Sequence, residues 1–183
     1  MDETKKVVFV ESNKNKSTLK EEREQKKKKR VITENWTFPD IHYEYENQLK
    51  MITSIRDNDY NYTDNISKIA LQQINRKIYG YKQQDMIKKL YRENEFITLH
   101  SIINRMVECE LKCYYCATEM SVLYDISRET KQWSVDRIDN DKGHNINNYF
   151  LACLECNLRR RRRSDEKFLF TKQMKIVKVS TEN

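Results

Sequence analysis

Glycine and proline are almost missing from this chain, which has two of the first and one of the second in 183 residues. With so few positions that reach φ > 0 at little steric cost, phosphate-cradling glycine loops are disfavoured, as are meandering all-β folds. Rossmann and P-loop enzymes are thereby excluded. Long apolar runs are missing too. Nothing approaches the roughly 20 apolar residues that a membrane span requires, and the short run Val7–Val10 ends at Glu11. These absences predict a soluble, intracellular protein without a classical secretory signal and without a membrane partner. Apolar residues make up 38% of the chain, below the usual level of about 45–50% for a globular domain. Eleven Tyr, six Phe and two Trp are nevertheless too many aromatics for a wholly unfolded chain. One compact domain with weakly packed ends is expected.

Charge is abundant and unevenly placed. The net charge is +7. Residues 1–35 hold eleven basic and seven acidic side chains, residues 157–183 nine and three, so the middle of the chain is slightly acidic. A basic surface concentrates polyanions around it. The run Lys26 to Arg30 reads either as a solvated tail or as a nuclear-import signal.

Apolar spacing divides the chain into an arm, a helical region and a mixed C-terminal region. Residues 1–35 have no sustained periodicity and are expected to be an unstructured basic arm, with Val7–Val10 as a candidate edge strand. Over 36–110, a short helix is predicted at Asn47–Ile55 behind the Pro39 turn. A second, capped by Thr63 and Asp64, runs through Ile66, Ile69, Ala70 and Ile74 and stops at Gly80. Further helices are predicted at Lys82–Tyr91 and Thr98–Glu110. Over 111–175, strand-like segments at Ser121–Ile126, Gln132–Val135 and Tyr149–Ala152 precede a helix from Cys153 or Leu154 to about Met174. Residues 176–183 form a tail. The fold class is α+β.

All five cysteines fall in the C-terminal half, at 109, 113, 116, 153 and 156. An odd count, two C-x-x-C pairs and no secretory signal argue for metal ligation over disulfides. Cys113, Cys116, Cys153 and Cys156 can close one tetrahedral shell of four thiolates, which is a structural zinc site. Cys109 is left as a spare thiol facing the core. Between the pairs lies WSVDRIDNDKGHNINNYF, a strand, a polar loop and a second strand leading into the helix. Zinc at both ends of such a hairpin and helix would make Asp136 and Asn157 neighbours. A carboxylate and an amide oxygen are hard ligands suited to Mg²⁺ or another divalent cation. Asp139 and Asp141 read as turn formers, His42 and His100 as structural, and Trp133 as packing under the hairpin.

The segment from about Leu111 to Arg163 resembles the HNH endonucleases of ββα-metal fold, in their zinc-containing branch of phages and large DNA viruses. The resemblance rests on C-x2-C, then SVDRIDNDKGH, Asn148, and LACLECNLRR. It implies a helical N-terminal region followed by a ββα-metal domain. It also implies Asp136 and Asn157 as ligands of a catalytic divalent metal, Asn148 as the residue that ties the hairpin loop, and hydrolysis of DNA phosphodiesters, duplex or branched. A homodimer is compatible with it, as is a nuclear or viral-factory location. One position departs from the family pattern. Arg137 stands where the general-base histidine is usual, and a guanidinium with a pKa above about 12 accepts no proton. Three accounts compete. His144 takes over as base; the metal alone activates water while Arg137 holds the phosphate; or the domain is a catalytically weak or inactive zinc-ribbon nucleic-acid binder. Arg159, Arg160, Arg161, Arg162 and Arg163 wrap all sides of the helix that starts at the site, so some must point away from a bound duplex, and those facing it are expected to contact phosphates without reading bases.

Overall fold

The computed structural model describes residues 28–58 and 64–174. A single 3-10 turn behind Pro39, Asp40–Tyr43, leads into helix α1 (Tyr45–Asp57). Asp64 caps helix α2 (Asn65–Ile87), its side chain accepting from the backbone N–H groups of Ile66 and Ser67 and so satisfying two donors that the first turn leaves open. Helix α3 (Leu99–Glu108) starts at a reciprocal capping box between Thr98 and Ser101. Strands β1 (Trp133–Arg137) and β2 (Tyr149–Cys153) then pair antiparallel, Trp133 opposite Cys153 and Arg137 opposite Tyr149. Helix α4 (Leu154–Arg160) follows β2 without a linker, and α5 (Asp165–Gln173) closes the described chain. Five helices and one two-stranded sheet make the fold α+β.

The helical region and the hairpin share one core. Ile52 and Ile55 of α1, Ala70 and Ile74 of α2, and Ile102, Ile103 and Met106 of α3 are buried in the same cluster as Trp133, Val135, Leu151 and Ala152 of the sheet. No helix among the described residues is long and apolar enough to cross a membrane.

Several sequence expectations change. Gly80 does not stop a helix; α2 runs through it to Ile87, so the segment predicted as a separate helix from Lys82 is the last part of α2. Gly80 costs helix stability without breaking the hydrogen-bond ladder, whereas Lys89 at φ 58° ends it. There the amides of Lys89 and Leu90 donate to the carbonyls of Met86 and Asp85 at 3.1 and 2.8 Å, a Schellman cap with lysine in the glycine position. Neither glycine has a positive φ, while six non-glycine residues among those described do. The predicted strand Ser121–Ile126 is irregular, touching Gln132 through one parallel bridge at Ser121. The helix expected to reach Met174 breaks at Arg161, at φ 54°, into α4 and α5.

Part of the expected arm is ordered. Lys29 bridges Ile126, and Arg30 lies over the Tyr124 ring at 4.2 Å while donating to the Tyr124 carbonyl and to Gln73 at 3.0 and 2.9 Å. A backbone carbonyl and a side-chain amide hold Arg30, and Asp125 pairs with Lys29 at 3.6 Å, partners that periodicity does not reveal. The candidate strand Val7–Val10 and the tail 176–183 lie outside the described residues.

Candidate functional site

The four predicted cysteine ligands converge. Their Sγ atoms all lie within 4.8 Å of one another, and Cys116 and Cys153 are 3.9 Å apart. Thiolates at about 2.3 Å from a tetrahedral zinc are separated by about 3.8 Å, so the cluster fits a metal ion such as zinc with little adjustment. Two local structures bring them there. The first is a tight turn in which Cys113 N–H donates to the Thr118 carbonyl and Ala117 N–H to the Cys113 carbonyl, both at 2.9 Å, with Ala117 at φ 54°. The second is the start of α4, where Cys153 is the N-cap and its sulfur accepts from the Cys156 N–H at 3.4 Å. A hydrogen bond with Cys153 holds the Cys113 thiol down, to about 5, and the same bond pushes Cys153 up. Burial raises Cys156 to about 12. Cys109 is outside the cluster, half-buried at the end of α3, with its thiol toward the Met106 carbonyl at 3.6 Å.

The hairpin packs its β1 strand against α4, with Asp136 on the last residue of that helix, Arg160. Asn157, in the first half of α4, donates from Nδ2 to the Val135 carbonyl and to the Ser134 hydroxyl at 3.1 and 3.0 Å. Its nitrogen is committed to the two strand residues that precede Asp136. Asp136 itself is buried and engaged. Both its oxygens accept from Arg160, at 2.6 and 3.0 Å, and Oδ2 also accepts from the Tyr115 hydroxyl at 2.7 Å. Burial and the Asp136 hydrogen bond keep the Tyr115 phenol protonated by raising its pKa.

Asn148 ties the hairpin loop. Its Nδ2 donates to the Asp139 and Gly143 carbonyls at 3.0 and 2.9 Å, and its Oδ1 accepts from the Asp139 N–H at 2.9 Å. Asp139 in turn accepts from the Asp141 N–H at 2.9 Å, the bond of an Asx turn. Arg137 donates across the same loop to the Lys142 carbonyl at 2.9 Å.

His144 turns inward, against helix α2. Asp85, fully buried, accepts from the His144 backbone N–H at 2.6 Å and pairs with its Nδ1 at 2.8 Å. The imidazole stacks on Tyr81 at 4.6 Å. Burial lowers the His144 pKa, against the opposing pull of Asp85, so the neutral ring is favoured near pH 7. The Tyr81 hydroxyl accepts from the Val135 N–H at 3.0 Å, linking this pair to β1.

The arginine run does not form one phosphate-facing strip. Arg160 is fully buried on Asp136. Arg159 pairs with Glu155 at 2.8 Å and Arg162 with Asp141 at 2.9 Å. Arg163 lies over the Phe168 ring at 4.9 Å, and Arg161 occupies the break between helices. Of the five arginines offered as candidate phosphate contacts, Arg160 is withdrawn. Its partner is a buried carboxylate, because α4 turns that one side chain back under the sheet. Trp133 is fully buried, as expected of packing under the hairpin. His42 packs edge-on against Phe38 at 5.9 Å, and His100 is 2.9 Å from Asn104 within α3.

Asp85 and Tyr115 are the residues that sequence reasoning missed. Asp85 extends the α2 stripe of Ala70, Ile74 and Tyr81 at spacings compatible with one helix face, so a carboxylate on a core-facing position was a readable signal. Tyr115, between two ligand cysteines, carried none. Comparison with known proteins finds no matching family model, no matching curated protein and no matching solved structure.

Proposed function

We propose that this chain is a metal-dependent endonuclease of the HNH type, hydrolysing DNA phosphodiester bonds through contacts that are largely independent of sequence. The observation that carries this reading is that Asn157, directly after the last zinc-type cysteine, is held on the strand that carries Asp136, its amide nitrogen donating to Ser134 and Val135, the two residues before that carboxylate. A purely structural hairpin has no need of a carboxylate and an amide brought to the same buried strand. The two donors are of the class that suits Mg²⁺ or a similar ion, and Asp136 becomes available to it when Arg160 is exchanged for the cation. Bound there, the ion would supply charge stabilisation at the scissile phosphate.

The chain's own groups do the rest. Arg137 is fixed at the edge of the loop and neutralises phosphate charge. Asp85 accepts the Nδ1 proton of His144, leaving Nε2 as the basic atom of a neutral imidazole, which suits His144 to accept a proton from water. Zinc on Cys113, Cys116, Cys153 and Cys156 pins the β2–α4 junction to the Cys113–Cys116 turn and has no catalytic part.

A second reading has an observation of its own. Both oxygens of Asp136 are already satisfied by Arg160 and Tyr115, as in a structural ion pair, and this favours a zinc-stabilised nucleic-acid-binding protein without catalysis. Nicking of supercoiled plasmid in Mg²⁺ or Mn²⁺ separates the two. The endonuclease reading expects nicking by the native chain and its loss in Asn157→Ala and His144→Ala proteins that retain zinc and a native circular-dichroism spectrum. Absence of nicking by the native chain in either metal decides for the binder. Cleavage that survives His144→Ala removes only that residue's role as base.

A further inference from the structure

Two cavities of about 290 and 350 Å³ lie between the C-terminal end of α2 and the hairpin loop. Leu90 and Asp141 line both, so the two adjoin along one grooved face. Lys89, Arg92 and Lys142 line the first part, and Lys88, Arg137 and Arg162 the second. Against these six cations stand two lining carboxylates, Glu95 and Asp141. Asp141 is engaged by Arg162, and Glu95 accepts from Asn145 at 2.8 Å. Among the described residues, Lys88, Lys89 and Arg92 have no carboxylate within ion-pair distance, and all three are exposed.

The walls of the groove are held rigidly. The Schellman cap of α2 places the Leu90 carbonyl against Gly143, where an added Cβ would lie 2.6 Å from that oxygen and 2.9 Å from Asp85 Oδ2. Asp85 then takes the His144 backbone N–H. A helix end and a loop locked this closely set the spacing of their cations before any ligand arrives. At the inner end sits Arg137, next in sequence to Asp136.

We propose that this groove is the track of the DNA backbone, and that Lys88, Lys89 and Arg92 of the helical region supply the phosphate contacts expected of the arginine run. The ligand class rests on the endonuclease reading above; the location does not depend on catalysis. Unpaired cations set along a groove gain most from a polyanion, because they neutralise phosphates and release condensed counterions without first breaking an internal ion pair.

The test compares the full chain with Lys88→Glu/Lys89→Glu/Arg92→Glu and with a control of equal charge change far from the groove, Lys50→Glu/Lys68→Glu/Lys131→Glu. Affinity for a fluorescent DNA duplex is measured across a salt series, with plasmid nicking alongside. The groove variant is expected to bind at least about 100-fold more weakly at low salt. Its salt slope should be shallower by about 2.7, from roughly 0.9 for each phosphate that is no longer neutralised, while the control stays near the native chain. Equal weakening of both variants, or native binding and nicking by the groove variant, overturns the groove and leaves the endonuclease reading standing. A native chain that neither binds nor nicks DNA overturns both.

Discussion

The buried guanidinium of Arg160 donates to both carboxylate oxygens of Asp136, at 2.6 and 3.0 Å, so the last residue of α4 neutralises the carboxylate near the end of β1. Each group is nearly sealed from water, and each would be left as an uncompensated buried charge without the other. Removing one partner of such a pair costs about 3–5 kcal/mol. Arg160→Ala is expected to lose stability of that order in denaturant titrations and, with the guanidinium gone, to regain part of it with Mg²⁺ or Mn²⁺. A thermal shift on adding the divalent ion that is no larger in the variant than in the native chain would show that Asp136 is not a metal ligand.

The cysteine cluster predicts about one zinc per chain, tetrahedral and with sulfur ligands. Chelation is expected to loosen the hairpin and α4 together, because the cluster ties the β2–α4 junction to the Cys113–Cys116 turn. Cys153→Ser should abolish stoichiometric zinc, whereas Cys109→Ser should retain it. Zinc content by atomic absorption on the purified chains checks both, and a zinc-free yet fully folded native chain would refute the assignment.

The two glycines should respond oppositely to alanine. Nothing lies within 4 Å of a Cβ at Gly80, and its backbone is helical, so Gly80→Ala should stabilise the chain by about 0.5–1 kcal/mol. At Gly143 the added methyl would press on the Leu90 carbonyl at 2.6 Å. Gly143→Ala should therefore destabilise by about 1–3 kcal/mol, as overpacking does. Paired urea denaturation curves report both signs.

His144 predicts a pH dependence of stability. Burial lowers its pKa in the folded chain, with Arg137 and Lys88 adding to the effect and Asp85 opposing it. The unfolded chain therefore binds this proton first. Stability is complete above the ordinary histidine pKa of about 6.5 and falls as pH drops from there through the folded value. Thermal unfolding followed from about pH 7.5 to pH 5 should show this fall in the native chain and a flatter profile in His144→Gln. Parallel profiles would assign the slope to other groups.

The local parts of this molecule were open to sequence reasoning because their causes are local. The doubled C-x2-C spacing identified the four cysteines that converge, and the aromatic and aliphatic residues around Trp133 and Tyr149 marked the strands. The asparagine and acid content of DNDKGH announced the turn that Asn148 ties. Helix ends were harder. In a chain this poor in glycine, stops fall on lysine and arginine at positive φ, at Lys89 and Arg161, where residue type gives no warning.

What the sequence by itself determined is the composition of the site: two thiol pairs, a carboxylate, an asparagine and a surplus of cations. Only the tertiary structure decided how those charges are spent. It buries Arg160 on Asp136, sets Asp85 behind His144, and leaves Lys88, Lys89 and Arg92 facing a groove. These pairings join residues 24 and 59 positions apart. Which cation meets a carboxylate and which stays unpaired depends on how α2 and α4 pack against the hairpin, and no spacing rule within one element carries that information.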